Sequence, residues 1–285
     1  MTGPQRIGVV GCGQMGAGIA EVCARAGLDV LVADADSSGV ERGRERIRAS
    51  LSRAVAADRL DAASADLATA RLGFTTDLTD FADRDLVVEA VAEHADLKTD
   101  IFARLDKIVE RSDALLATNT SSIPVMRLAM ATSRPEQVIG IHFFNPVPVL
   151  RLVELVPSML TSRQTRERAE RFAVESLGKQ AITAGDRAGF VVNALLIPYL
   201  LSAIRMMESG FADAADIDTG MQLGCAHPMG PLRLADLVGL DTVQAAAEAM
   251  YEEFRETQYS PPPLLRRMVE GGLLGRKTGQ GFYTY

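Results

Sequence analysis

The sequence of 285 residues predicts an α/β protein in two parts: an open, doubly wound sheet with a helical hairpin inserted in it, then an all-α C-terminal part. Three observations predict this. A strand, a glycine turn, a helix and a second strand fill roughly the first 35 residues. Short apolar runs then alternate with segments of helical period as far as Thr183. After Gly185 the strand signals stop.

The elements follow in order. Arg6–Val10 reads as a strand, GCGQMGAG as the turn behind it, Ile19–Ala26 as a helix, and Val30–Ala33 as a strand ending at Asp34. Residues 39–71 keep helical spacing throughout. Ile47, Leu51 and Val55 share one stripe, and Leu60 and Leu67 continue it beyond a break near Asp58, so two antiparallel helices are expected. Alternation then resumes, with strands at Leu86–Glu89, Leu115–Thr118, Val138–Ile141, Leu152–Val156 and Gln180–Thr183. Helices are expected between them at Asp96–Val109, Ile123–Met130 and Gln164–Leu177. Such alternation implies a mostly parallel sheet.

The boundary falls in AGDRAG, residues 184–189, which gives expected domains of 1–185 and 186–285. Beyond it, Phe190–Ser209, Asp213–Leu223, Pro231–Asp236, Asp241–Phe254 and Pro263–Gly271 read as helices. Phe190–Ser209 is apolar over too many faces to lie half exposed. It needs cover from its own domain and from a second copy, so a homodimer is expected. The tail GRKTGQGFYTY should fold back, because an exposed Phe282-Tyr283 pair is unfavourable.

Bulk properties exclude several classes. A net charge of −7 speaks against a nucleic-acid binder. No apolar run reaches the ~18 residues of a membrane span. The first residues lead straight into a strand, which leaves no room for a signal peptide. Three cysteines (Cys12, Cys23, Cys225) show no CxxC spacing, so a reduced, cytoplasmic protein without a metal site is expected.

The glycine turn carries the first functional signal. Gly11, Gly13 and Gly16 fit GxGxxG in a Rossmann-type context, after a strand and opening a helix. Gly11 permits the tight turn, Gly13 lets backbone approach a pyrophosphate, and Gly16 lets the helix pack close to the strand. The pyrophosphate would sit on the helix N-terminus. Asp34 would accept from the adenosine ribose hydroxyls and repel a 2′-phosphate. No arginine adjoins it, although Arg42 follows within two helical turns, so NAD rather than NADP is expected. Cys12, in the turn itself, reads as a small buried residue.

The second signal is TNTSSIP followed by IHFFNPVPVLRLVE. Ser121, His142 and Glu154 are read at the ends of successive expected strands. A hydroxyl, an imidazole and a carboxylate are the parts of an acid–base site. Oxidation of a secondary alcohol develops charge on oxygen as hydride leaves, and a neutral imidazole can take the proton. His94 and His227 lack such company and read as structural. Lys98 and Lys277 could be solvated, but the glycines of RKTGQG suit close approach to a ligand. Met206 and Met207 read as packing residues.

GCGQMG, VVEAVAE, TNTSS, HFFNPVPV, GFVVN, HPMGPLRLADLVGLD and KTGQGFYTY, in this order from residue 5 to the C-terminus, resemble the short-chain L-3-hydroxyacyl-CoA dehydrogenases. The likeness is greatest to actinobacterial members acting on 3-hydroxybutyryl-CoA. The resemblance implies reversible NAD-dependent oxidation of the 3-hydroxyacyl thioester to the 3-ketoacyl thioester. It casts His142 as the base, Glu154 as its orienting carboxylate, and Ser121 and Asn193 as substrate contacts in a cleft between the domains. It adds Gln14, Met15, Ala90, Glu93, Lys98 and Lys277 as cofactor contacts, places Asn119 at the nicotinamide ribose, and keeps Ser50 as a contact to the acyl-CoA substrate. One departure is visible: Ala56 and Ala57 stand where several members carry lysines, with Arg53 and Arg59 nearby. Two other readings stay open at this point: an acyl-carrier-protein dehydrogenase of specialised metabolism, and a non-catalytic nucleotide-binding relative.

Overall fold

A computed structural model describes residues 3–285, and the chain divides into two compact units, one ending at Asp186 and the other spanning Arg187–Tyr285. In the first unit β1 (Arg6–Val10), β2 (Asp29–Ala33), β3 (Leu72–Thr75), β4 (Leu86–Glu89), β5 (Leu115–Thr118), β6 (Val138–Phe143), β7 (Leu152–Pro157) and β8 (Gln180–Thr183) form one sheet. Its order is β3-β2-β1-β4-β5-β6-β7-β8. Strands β1 to β6 run parallel, and β4, β5 and β6 are continuous runs buried on both faces, as central parallel strands should be. β7 reverses against β6, and β8 pairs parallel to β7. The chain order turns back between β1 and β4, which is where an open α/β sheet forms its ligand crevice.

Helices α1 (Gln14–Arg25), α2 (Ser37–Ala56), α3 (Ala62–Ala70), α4 (Ala95–Ile108), α5 (Val125–Ala129) and α6 (Arg163–Arg171) connect the strands. α2 and α3 are the expected hairpin. Asp36 caps the first through Gly39 N, Asp61 caps the second through Ser64 N, and Asp58 at φ 52° makes the break. The hairpin ends where its period does, with Arg71 as the C-cap of α3, and Leu72–Thr75, not expected as a strand, follows as an edge strand beside β2. Half-buried along its length, this strand carries too short an alternation to be seen in sequence. The helix expected over Ile123–Met130 shrinks to α5, because Pro124 stands as its N-cap. The one expected over Gln164–Leu177 is α6 followed by a wide π turn at Phe172–Ser176.

The second unit holds α7 (Val192–Glu208), α8 (Ala214–Cys225), α9 (Pro231–Val238), α10 (Leu240–Phe254) and α11 (Pro263–Glu270). α7 starts at Val192 rather than Phe190, since Gly189 and Phe190 adopt left-handed conformations at φ 83° and 49°. Leu200, Leu201 and Ile204 of α7 pack with Leu232, Leu240, Val243 and Leu265 in this unit's core. The tail does fold back: Phe282 N and Tyr283 N both donate to Asp236, at 2.9 Å each. Among the described residues, no helix is long and apolar enough to cross a membrane.

Candidate active site

The C-terminal ends of β1, β2, β4 and β5 lie in register, Val10 beside Ala33 and Glu89, and Glu89 beside Thr118. Every residue that follows these ends therefore opens on one edge of the sheet. That edge carries Gly11, Asp34, Ala90 and Asn119.

The glycine turn has the geometry a dinucleotide needs. Gly11 takes φ 99°, and a Cβ there would lie 2.7 Å from Ala90 O. A Cβ on Gly16 would lie 1.8 Å from Gly11 O, so helix and strand meet backbone to backbone. Gly13 is exposed and a Cβ there would meet nothing within 4 Å. It N-caps α1 without any side-chain hydrogen bond at that helix end. Gln14 is exposed beside it and Met15 is half-buried. Asp34 accepts from Cys12 N at 2.7 Å and from Ala35 N at 2.8 Å, so its carboxylate is held at the mouth of the turn. Burial pushes the Cys12 thiol up to about 11, with the Asp34 charge adding to it, so Cys12 is the small buried residue expected. Arg42 is turned to Ser38 Oγ at 2.8 Å.

Three strands along, β6 carries His142 one residue before its end, and β7 carries Glu154 in mid-strand. This corrects the expectation that all three polar residues sit at strand ends. The pair is a product of antiparallel register: His142 stands directly opposite Glu154. Side chains opposite each other on one face come within reach, and His142 Nδ1 lies 2.7 Å from Glu154 Oε2. Both are buried, Glu154 fully. The Phe144 ring stands edge-on to the imidazole at 4.6 Å. The 144–151 connection is pinned by buried Lys179, whose Nζ donates to Val147 O at 2.6 Å and Leu150 O at 2.7 Å. Burial, and Arg25 nearby, push the Lys179 ammonium below its usual range.

The TNTSS loop joins the two regions. Asn119 donates its N–H to Glu89 O and accepts from Phe143 N at 2.8 Å, next to His142. Ser121 is half-buried, and its N–H donates to Glu93 Oε1 at 3.0 Å. Glu93 also accepts from Ser122 N, Ser122 Oγ and Thr120 Oγ1. Burial opposes the charge on Glu93, but the Lys98 ammonium and these donors outweigh it and hold the carboxyl below its usual range. Lys98 is not a solvated residue. It is buried, with Nζ 3.0 Å from Glu89 and 2.9 Å from Glu93.

Other expected residues lie apart from this edge or in the second unit. Ser50 is half-buried on α2 and lines a groove of about 1060 Å³ with Gln14, Arg42, Arg46, Arg53 and the Asn145–Pro148 segment. Asn193 is half-buried in the first turn of α7. Lys277, in the tail, makes a bidentate pair with Asp241, 2.6 Å to each oxygen. His94 caps α4 exposed, and His227 Nδ1 lies 3.1 Å from Tyr199 OH. Sequence reasoning missed Glu89, Thr118, Thr120, Lys179 and Asp186. Asp186 accepts from Val125 N and Met126 N at the start of α5, and so belongs to the first unit, one residue past the expected limit.

Residues 6–187 match the NAD binding domain of 3-hydroxyacyl-CoA dehydrogenase, and residues 189–285 match the C-terminal domain of the same family. The chain is 58% identical over 281 residues to a 3-hydroxybutyryl-CoA dehydrogenase of Mycobacterium tuberculosis, covering 99% of this chain and 98% of that one. Its fold is similar to crystal structures of FadB2 from the same organism (57% identity, 100% of both chains, TM-score 0.98). It is also similar to the (S)-3-hydroxybutyryl-CoA dehydrogenase PaaH1 of Ralstonia eutropha (44% identity, 99% of both chains, TM-score 0.93). With the glycine turn and the His142–Glu154 pair seated in the matched NAD binding domain, the chain belongs to the 3-hydroxyacyl-CoA dehydrogenase family and its cofactor is NAD.

Proposed function

We propose that the protein oxidises short-chain L-3-hydroxyacyl-CoA, 3-hydroxybutyryl-CoA in particular, to the 3-ketoacyl-CoA, reversibly. The observation that carries this is the 2.7 Å contact of His142 Nδ1 with Glu154 in a chain so similar to 3-hydroxybutyryl-CoA dehydrogenases. A carboxylate on Nδ1 holds the proton there and assigns the basic lone pair to Nε2. His142 takes the proton of the substrate 3-hydroxyl at Nε2, and Glu154 stabilises the imidazolium that forms. Bound NAD supplies the hydride acceptor at its nicotinamide. Ser121 bonds the substrate oxygen, and Asn193 is assigned to the substrate by its place in GFVVN. Asp34 selects the unphosphorylated ribose, and Gly13, Gln14, Met15 and Ala90 bound the dinucleotide turn.

The groove along α2 supports coenzyme A as the handle. Arg42, Arg46 and Arg53 line it together with Ser50 and with Glu21, Glu41 and Glu45, so guanidinium groups are at hand for phosphates although the lysine positions are Ala56 and Ala57. The helical unit supports a homodimer: Leu195, Phe211 and Leu223 are 72%, 80% and 83% exposed. A monomer mass by light scattering at micromolar concentration would remove that part of the reading.

The protein should oxidise NADH with acetoacetyl-CoA, and more efficiently than with the carrier-protein thioester. His142→Gln should lower kcat by about 10²–10⁴-fold, the span of a general base. Absence of turnover with every ketoacyl thioester sinks the function, and activity kept within a few-fold in His142→Gln sinks the base.

A further inference from the structure

The Ser121 loop hangs on a carboxylate–ammonium–carboxylate chain that runs into the core. At its inner end Glu89, fully buried at the tip of β4, accepts from Val91 N and Thr118 Oγ1 at 2.7 Å each. At its centre Lys98, 1% exposed, lies between Glu89 and Glu93. At its outer end Glu93 turns Oε2 to Lys98, and Oε1 collects the donors of Thr120, Ser121 and Ser122. Asn119, in the same loop, is tied to Phe143 N beside His142.

We propose that Glu89 and Lys98 are positioning residues: through Glu93 they hold the Ser121 loop in register with His142. The proposal rests on the reading of Ser121 as the partner of the substrate oxygen. A buried ammonium paired with carboxylates is costly to break apart, because removing one member leaves the others uncompensated. Without Lys98, Glu89 and Glu93 confront each other as like charges. Glu89 is sealed in and held by two further donors. Glu93, with 37% of its side chain exposed, has a way out to water, and the amides of Ser121 and Ser122 lose their acceptor as it leaves. A loop displaced by about 1 Å near reacting atoms can lower turnover by about 10²-fold.

The test uses Lys98→Met in the full chain, with Glu89→Gln as the milder variant should the first fail to fold. Amide hydrogen exchange over residues 119–123 should accelerate by about 10-fold or more while α1 and β1 keep their protection. The same variant should lose about 10–100-fold in kcat, and in a Ser121→Ala background it should lose less than about 3-fold further, because both changes remove one interaction. Exchange at 119–123 within about 2-fold of the parent overturns the proposal. So do independent, multiplying losses in the double variant, which mark a merely structural cluster. A parent protein inactive on every thioester overturns the functional reading alone, since the exchange measurement needs no substrate.

Discussion

Two glycine-rich segments invite the same reading, and single glycines within them do opposite things. The turn Gly11–Gly16 and the tail Gly275–Gly281 both contain left-handed glycines, Gly11 at φ 99° and Gly275 at φ 91°. In the turn, Gly13 faces open space. In the tail, a Cβ on Gly281 would lie 2.0 Å from Asp236 Oδ1, and one on Gly275 would lie 2.4 Å from Asp236 O. Gly13 keeps room for a ligand, whereas Gly275 and Gly281 remove side chains so that the tail can close on Asp236, the first on its main chain and the second on its carboxylate. Asp236 then takes the amides of Phe282 and Tyr283 and the hydroxyl of Tyr285. Within RKTGQG, read as suited to close approach to a ligand, Gly281 instead makes room for Asp236, Gly279 has open space beside it, and Lys277 pairs with Asp241. A glycine shows that something comes close; its surroundings show whether that is cofactor or protein.

Substitution separates the two cases. The larger effect belongs to the tail. Gly281→Ala forces Asp236 or the Gly275 backbone aside, an overpacking of about 1–3 kcal/mol. Urea unfolding should show that loss, and unchanged stability would break the contrast from the tail side. The smaller effect belongs to the turn. Gly13→Ala adds a methyl at φ −67°, where alanine is unstrained, so stability should stay within about 0.5 kcal/mol. The methyl enters the space assigned to the dinucleotide, and NADH affinity, read by fluorescence titration, should fall by about 10-fold or more. Unchanged affinity would place the cofactor elsewhere. A second outcome sharpens the contrast: Gly281→Ala should spare that affinity far more than Gly13→Ala does.

How much of the site was legible follows from which interactions are local. GxGxxG, Asp34 after the next strand and the apolar runs are short-range patterns, so the sheet, its nucleotide corner and the boundary near Asp186 were readable. His142 and Glu154 could be singled out, but not their contact. The expected parallel order hid the reversal at β7, and only that reversal sets the two residues face to face. β3 was illegible because four half-buried residues carry no periodic signal. Glu89 and Lys98 were read as a strand end and a helix face, since nothing in their spacing says that both charges are sealed from water.

The sequence by itself determined the α/β class, the glycine turn with its acidic partner, the helical second part and the expectation of acid–base chemistry at His142 and Glu154. Each is written in patterns of a few residues, where sterics and hydrophobic period act locally. Tertiary structure alone decided the antiparallel register that pairs His142 with Glu154, the burial that makes Lys98 a link between carboxylates, and the packing of Gly281 on Asp236. Those outcomes depend on which distant segments meet and how much water they exclude, and the strength of a charge or the cost of a methyl depends on that exclusion.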